Sequence, residues 1–148
     1  MKTFRNPSDI HAPQGAYTHQ VEIQGPEHLL VISGQVGARP DGSVPDDVLE
    51  QLDLVLDNIG GNLRAAGMGF DDVFKISWFL VGDIDLAPVR GKMRARFSGT
   101  PPCSTMLFVS RLASPLYKVE IEVWASRESQ TTNDERRIRQ FRRIEIRR

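Results

Sequence analysis

Residues 117–125, YKVEIEVWA, alternate strictly: Val119, Ile121 and Val123 fall on one side, and Lys118, Glu120, Glu122 and Trp124 on the other. Side chains of an extended strand point to opposite faces in turn. This stretch therefore commits the chain to a sheet with one apolar face that must be covered and a second face that mixes charge with an indole. The cover comes from a change of period after Val48. Leu49, Leu52, Leu56, Ile59 and Leu63 recur at three and four residues, one face of an α-helix. Asp46 and Asp47 suit its positive N-terminal end, and AAGMG stops it with glycine. Leu86, Val89, Met93 and Phe97 repeat the helical period over a shorter stretch. SGTPP ends that second helix, because proline cannot continue one.

Four more segments read as strands: YTHQVEIQ (17–24), HLLVISGQ (28–35), DDVFKISWFLVG (71–82) and STMLFVSRL (104–112). The first two are separated by a GPE turn, which predicts a β-hairpin. The order β-β-α-β-α-β-β predicts an α+β domain with both helices on one face of a single mixed sheet. The opposite face keeps Trp78 or Phe79, Trp124 and aliphatic side chains. A half-covered apolar sheet argues for an oligomer.

The chain has 148 residues, of which 40% are hydrophobic and 26% charged, enough for one ordinary domain with its own core. The formal net charge is zero but uneven: residues 127–148 carry eight arginines against four acids, a net +4. The expectation is a domain over 1–126 and a basic C-terminal tail over 127–148, a solvated end rather than a nucleic-acid contact. Ile138, Phe141 and Ile144 give the tail a weak amphipathic period. Nucleic-acid binding is not favoured, since no basic strip interleaved with aromatics crosses the body. The opening MKTFRNPSDIHAPQG has no apolar core of a signal peptide, no run is long enough to cross a bilayer, and one cysteine makes no internal disulfide. A cytoplasmic protein is expected. Three scattered histidines and one cysteine have no metal-ligand spacing, and SGQVG lacks the spacing of a phosphate-binding loop. No cofactor or metal is expected.

Four positions carry candidate chemistry. Cys103 sits between a double proline and a strand. It is either a nucleophile, which needs a base or a positive field to become a thiolate, or a small packing residue. Glu120 and Glu122 share a strand face. Either could act as a base toward water or simply form a polar, paired face. Tyr17 is either a cleft donor or the amphipathic end of a strand.

Five stretches in register resemble the RidA/YjgF reactive-intermediate deaminase family: APQGAYTHQV (12–21), VISGQVG (31–37), NLRAAGMGFDDVFKISWFL (62–80), ARFSGTPPCSTMLFVSRL (95–112) and VEIEVWA (119–125). The resemblance covers residues 12 to 126. It implies a single chorismate-mutase-like α+β domain, a homotrimer, and a small-molecule ligand in clefts between subunits. It also implies hydrolysis of an enamine or imine with release of ammonia. By the same resemblance Glu120 positions water. Tyr17, Ser33, Gly34, Gln35, Arg90, Cys103, Ser104 and Thr105 line the substrate cleft, with Arg90 where many relatives carry an asparagine. Active relatives place a carboxylate-binding arginine just before the ST pair, and here that position is Cys103. Cysteine is short and neutral near pH 7, so it cannot hold a carboxylate as a guanidinium does. The alternative expectation is a catalytically silent module that binds a ligand or a protein. The segment from Cys103 to Glu120 is about two residues longer than the family pattern, which predicts a longer turn near Ser110–Leu116.

Overall fold

A computed structural model describes residues 1–9, 12–13, 18–25 and 27–128. Tyr17 and the tail from residue 129 onward lie outside the described residues. The elements run β1 (Lys2–Arg5), β2 (Gln20–Ile23), β3 (Glu27–Val36), α1 (Val48–Ala65), β4 (Val73–Leu80), α2 (Leu86–Arg96), β5 (Cys103–Phe108) and β6 (Val119–Glu128). A 3-10 turn, Phe70–Asp72, leads into β4.

The α+β class, the two helices on one face and the mixed sheet all hold. The main sheet has four strands in the order β3-β6-β4-β5. Pairing is antiparallel for β3–β6 and β6–β4 and parallel for β4–β5. A parallel pair cannot be closed by a tight turn, and α2 supplies the crossover.

Two expectations are corrected. β2 does not form a hairpin with β3, and the strands do not all join one sheet. β2 pairs with β1, with Lys2 opposite Ile23 and Arg5 opposite Gln20, as a separate two-stranded ribbon. β3 instead takes β6 as its partner, where Leu30 and Ile32 meet Ala125 and Val123 on the face that α1 covers. Eight paired positions with an apolar partner outweigh the local turn at Gly25. KTFR gave β1 away poorly, since four residues show too little alternation to mark a strand.

α1 starts at Asp47, whose carboxylate accepts from Glu50 N at 2.8 Å. It closes where Gly67 adopts φ +68° and Met68 N donates to Leu63 O at 2.8 Å. Leu52, Val55, Leu56, Ile59 and Leu63 are all buried. They pack on Ile76, Trp78 and Leu80 of β4 and on Val119, Ile121 and Val123 of β6. Val89 of α2 joins the same core, and Phe97 meets Phe70 edge-on at 5.3 Å. Lys92–Asp53 and Arg96–Asp57 bridge the helices at 2.7 and 2.8 Å, exposed pairs that add little.

Gln51 is a buried polar residue of α1. Its amide donates to Pro45 O and Leu116 O and accepts from Lys118 N, all within 2.9 Å. It thereby pins the turn between β5 and β6, residues 109–118, to the helix. This is where the longer turn was expected. Gly37 permits that contact, because a Cβ there would lie 2.6 Å from Gln51 Cα.

Trp78 lies on the helix side and is buried, so Phe79 is the aromatic of the other face. That face carries Leu29, Val31, Leu107 and Trp124 at 58, 55, 49 and 40% exposure, interleaved with Lys75, Ser77, Glu120 and Glu122. β6 runs through Glu128, and Arg127 within it donates to Asp72 Oδ2 at 2.8 Å.

Candidate active site

Apart from Ser104, whose register partner Ile76 puts it on the helix side, and Arg90 on α2, the described site residues fall at two ends of the uncovered face. At one end β3 and β6 slip register: Ile32 opposes Val123, but Gln35 opposes Ile121, so the stretch through Ser33 and Gly34 carries one extra residue. Such a bulge takes backbone groups out of the ladder and re-aims the strand. Glu120 lies directly against it. A Cβ on Gly34 would overlap the Glu120 carboxylate, so glycine is what allows the side chain to lie there. Gln35 turns its amide away to Ser33 O at 2.9 Å and reaches Asn62 of α1 at 3.4 Å, leaving its backbone at the bulge.

At the other end stands the start of β5. Cys103 is half-buried and pairs across the parallel ladder with Lys75; Ser104 pairs with Ile76 and Thr105 with Ser77. Thr18, leading into β2, donates its hydroxyl to Pro101 O at 2.7 Å and its N–H to Pro102 O at 3.3 Å. This holds the ribbon beside the start of β5. Burial pushes the Cys103 thiol up, outweighing the opposite pull of the Lys75 ammonium and of the Val21 N–H. A thiol so placed stays protonated near neutral pH and is not an activated nucleophile.

Lys75, which is not among the residues named from the sequence, also stands at this end of the face. Its Nζ donates to Thr105 Oγ1 at 2.6 Å, crossing from β4 onto β5. The available signal was phase: within FKISWFL, Lys75 and Ser77 share the face opposite Ile76 and Trp78.

The two ends do not meet within one chain. Cys103 is level with Lys75 and Glu120 with Phe79, four residues along β4 and two strands apart. At ~3.3 Å per residue and ~4.8 Å per strand their Cα atoms are about 16 Å apart. Arg90 is exposed on α2, in the helical layer, while Glu120 stands on the other face of the sheet. Arg94 is likewise on α2, and Arg111 is exposed in the turn after β5. Among the described residues no cluster of three or more His, Cys, Asp or Glu side chains could hold a metal ion, and no helix is long and apolar enough to cross a membrane.

A two-layer α+β fold with a glycine-backed glutamate on its uncovered sheet face defines the class of protein. The family model described as Endoribonuclease L-PSP matches residues 9–127, and the chain belongs to that family, in line with its RidA/YjgF resemblance. It is 32% identical over 117 residues to the 2-iminobutanoate/2-iminopropanoate deaminase of Escherichia coli K12, covering 76% of this chain and 88% of that one. It is 36% identical over 73 residues to the RutC family protein YjgH of the same organism, where the match spans about half of each chain (49 and 55%). Among solved structures, the Rid-family protein YyfB from Yersinia pestis, of unknown function, superposes with a TM-score of 0.74 at 29% identity, over 84% of this chain and 97% of its own. Two of these relatives, from Mus musculus and Escherichia coli K12, are 2-iminobutanoate/2-iminopropanoate deaminases.

Proposed function

We propose that this protein hydrolyses a small imine or its enamine tautomer, releasing ammonia, in clefts between the subunits of a cytoplasmic homotrimer. The observation that carries this reading is the Glu120 carboxylate lying against Gly34 at the β3 bulge. A carboxylate held beside freed backbone groups can orient a water and take its proton as the water oxygen bonds to the imine carbon. The C=N electron pair moves to nitrogen, which accepts a proton. The resulting carbinolamine then loses ammonia as the carbonyl forms. Tyr17, in this reading, lines the cleft.

Two features support a cleft between copies. The uncovered face is rich in exposed apolar side chains, and the Glu120 and Cys103 ends are too far apart to grip one small substrate from a single chain. The domain of this reading covers 1–126, with β6 continuing through Arg127 and Glu128 into the segment assigned to the basic tail.

The test is ammonia release from freshly generated 2-iminobutanoate. Glu120→Gln is expected to lower kcat about 10²- to 10⁴-fold, the usual worth of a positioned general base. Wild-type protein that does not accelerate hydrolysis of this or any uncharged imine overturns the proposal. Cys103 favours a second reading, a silent ligand-binding module, because it replaces the family arginine with a protonated thiol.

A further inference from the structure

We propose that Lys75, steadied by the Thr105 hydroxyl, is the carboxylate anchor of this protein and does the work that an arginine at position 103 would otherwise do. The inference deepens the deaminase reading and rests on its placing the ligand in a cleft at this face.

Four observations converge on Lys75. Its ammonium is carried from β4 onto β5 by the 2.6 Å bond to Thr105 Oγ1, which puts the charge beside Cys103. Cys103 is short, so the space that a longer side chain at that position would sweep is left to the lysine and a ligand. Among the described residues, no carboxylate lies within ion-pair distance of Lys75; the next acid on the face by register, Glu122, stands opposite Ser77, one step further along. The surroundings are apolar, with Trp124 paired directly to Lys75 and Leu107 further along β5. An ammonium with a hydroxyl beside it and apolar walls suits a small monocarboxylate: the charge takes the carboxylate and the walls take a short alkyl chain.

Other cations do not fill this role. Lys118 Nζ is spent on Asp46 O, Lys92 and Arg96 on Asp53 and Asp57, and Arg127 on Asp72. Arg90 and Arg94 stand in the helical layer. Lys75 is about 13 Å along β4 from the level of Glu120. The lysine and the glutamate that act on one substrate therefore come from different copies.

The experiment measures binding of 2-oxobutanoate, the stable keto acid of the same skeleton, and of uncharged butan-2-one, by calorimetry on the full-length protein. Wild type is expected to bind the keto acid and to prefer it over the ketone. Lys75→Met should weaken keto-acid binding about 10- to 100-fold with ketone binding unchanged, and Lys75→Arg should restore it. Thr105→Val, which keeps the lysine but frees it, should cost a smaller factor. It also stands in if Lys75→Met fails to fold. Equal keto-acid affinity in wild type, Lys75→Met and Thr105→Val overturns the proposal. So does a loss that follows Arg111→Met instead, or wild type that does not discriminate acid from ketone. Lys75-dependent binding without turnover of any imine would leave this inference standing and sink the deaminase reading alone.

Discussion

The two faces of the four-stranded sheet are built from the same strands and obey different rules. On the helix side Ile32, Ile76, Trp78, Leu80, Val119, Ile121 and Val123 are all nearly fully buried, and each position is fixed by packing against α1 and α2. On the other side Leu29, Val31, Leu107 and Trp124 stand exposed among Lys75, Glu120 and Glu122. Apolar groups left in water on one face have no use within a single copy, and charges set among them would be expensive if that face were a sealed core. The difference separates the residues that make the subunit from those available for assembly and chemistry.

Substitutions on opposite faces should separate the two most strongly. Leu56→Ala on the helix side is expected to lower unfolding free energy by about 2–5 kcal/mol while leaving the assembly state of the folded protein alone. Val31→Glu on the open side is expected to do the reverse: the native fold persists by circular dichroism, and sedimentation equilibrium reports single subunits in place of the proposed trimer. Val31→Glu trimers as stable as wild type would remove the open face from the interface.

At Gly34 one methyl group tests chemistry and fold separately. Gly34→Ala pushes a flexible carboxylate rather than backbone. Its cost is therefore expected in turnover, about 10²-fold or more as Glu120 leaves its seat, with a change in melting temperature of no more than a few degrees. A large drop in melting temperature with normal turnover would make Gly34 a folding residue instead.

The smallest effect belongs to Cys103. Cys103→Ser is expected to change turnover less than about twofold, since a packing thiol tolerates its near-isostere. Because burial raises the thiol's pKa, iodoacetamide should label it sluggishly at pH 7, with the rate climbing only as pH rises past the ordinary thiol value of about 8.5. Linkage has the same sign. The protonated thiol favours the fold below its unfolded pKa, and that contribution is lost as pH rises through the folded one. Fast labelling at neutral pH together with loss of activity in Cys103→Ser would restore the nucleophile.

Legibility followed the same division. The buried stripe of α1 and the alternation of β6 were readable because burial repeats with the period of the backbone. The membership of Phe79 rather than Trp78 in the open face needed only the phase of β4, which the sequence left one residue uncertain. The β1–β2 ribbon was not readable, because four residues carry almost no period and the choice of partner was decided by a distant strand. Gln51 escaped for a different reason: a buried amide answering three backbone groups of remote segments leaves no local signature. Glu120 and Gly34 were each named from the resemblance, but their mutual contact is a property of the bulge. Lys75 acquires its meaning only from Thr105, thirty residues away.

The strand order has a consequence for how the chain is made. β6, the last element of the sheet to be synthesised, lies between β3 and β4 and pairs with both. Until Val119 and the residues after it emerge from the ribosome, β3 and β4 each present an unpaired inner edge bearing aliphatic side chains. No native sheet larger than the parallel β4–β5 pair can form during that interval. Folding is therefore gated by a late, long-range closure of the kind that proceeds slowly and exposes sticky edges. A nascent chain stalled before Val119 is the species most in need of a chaperone. Nonsense changes upstream of Val119 should yield aggregates rather than shortened, partly working proteins.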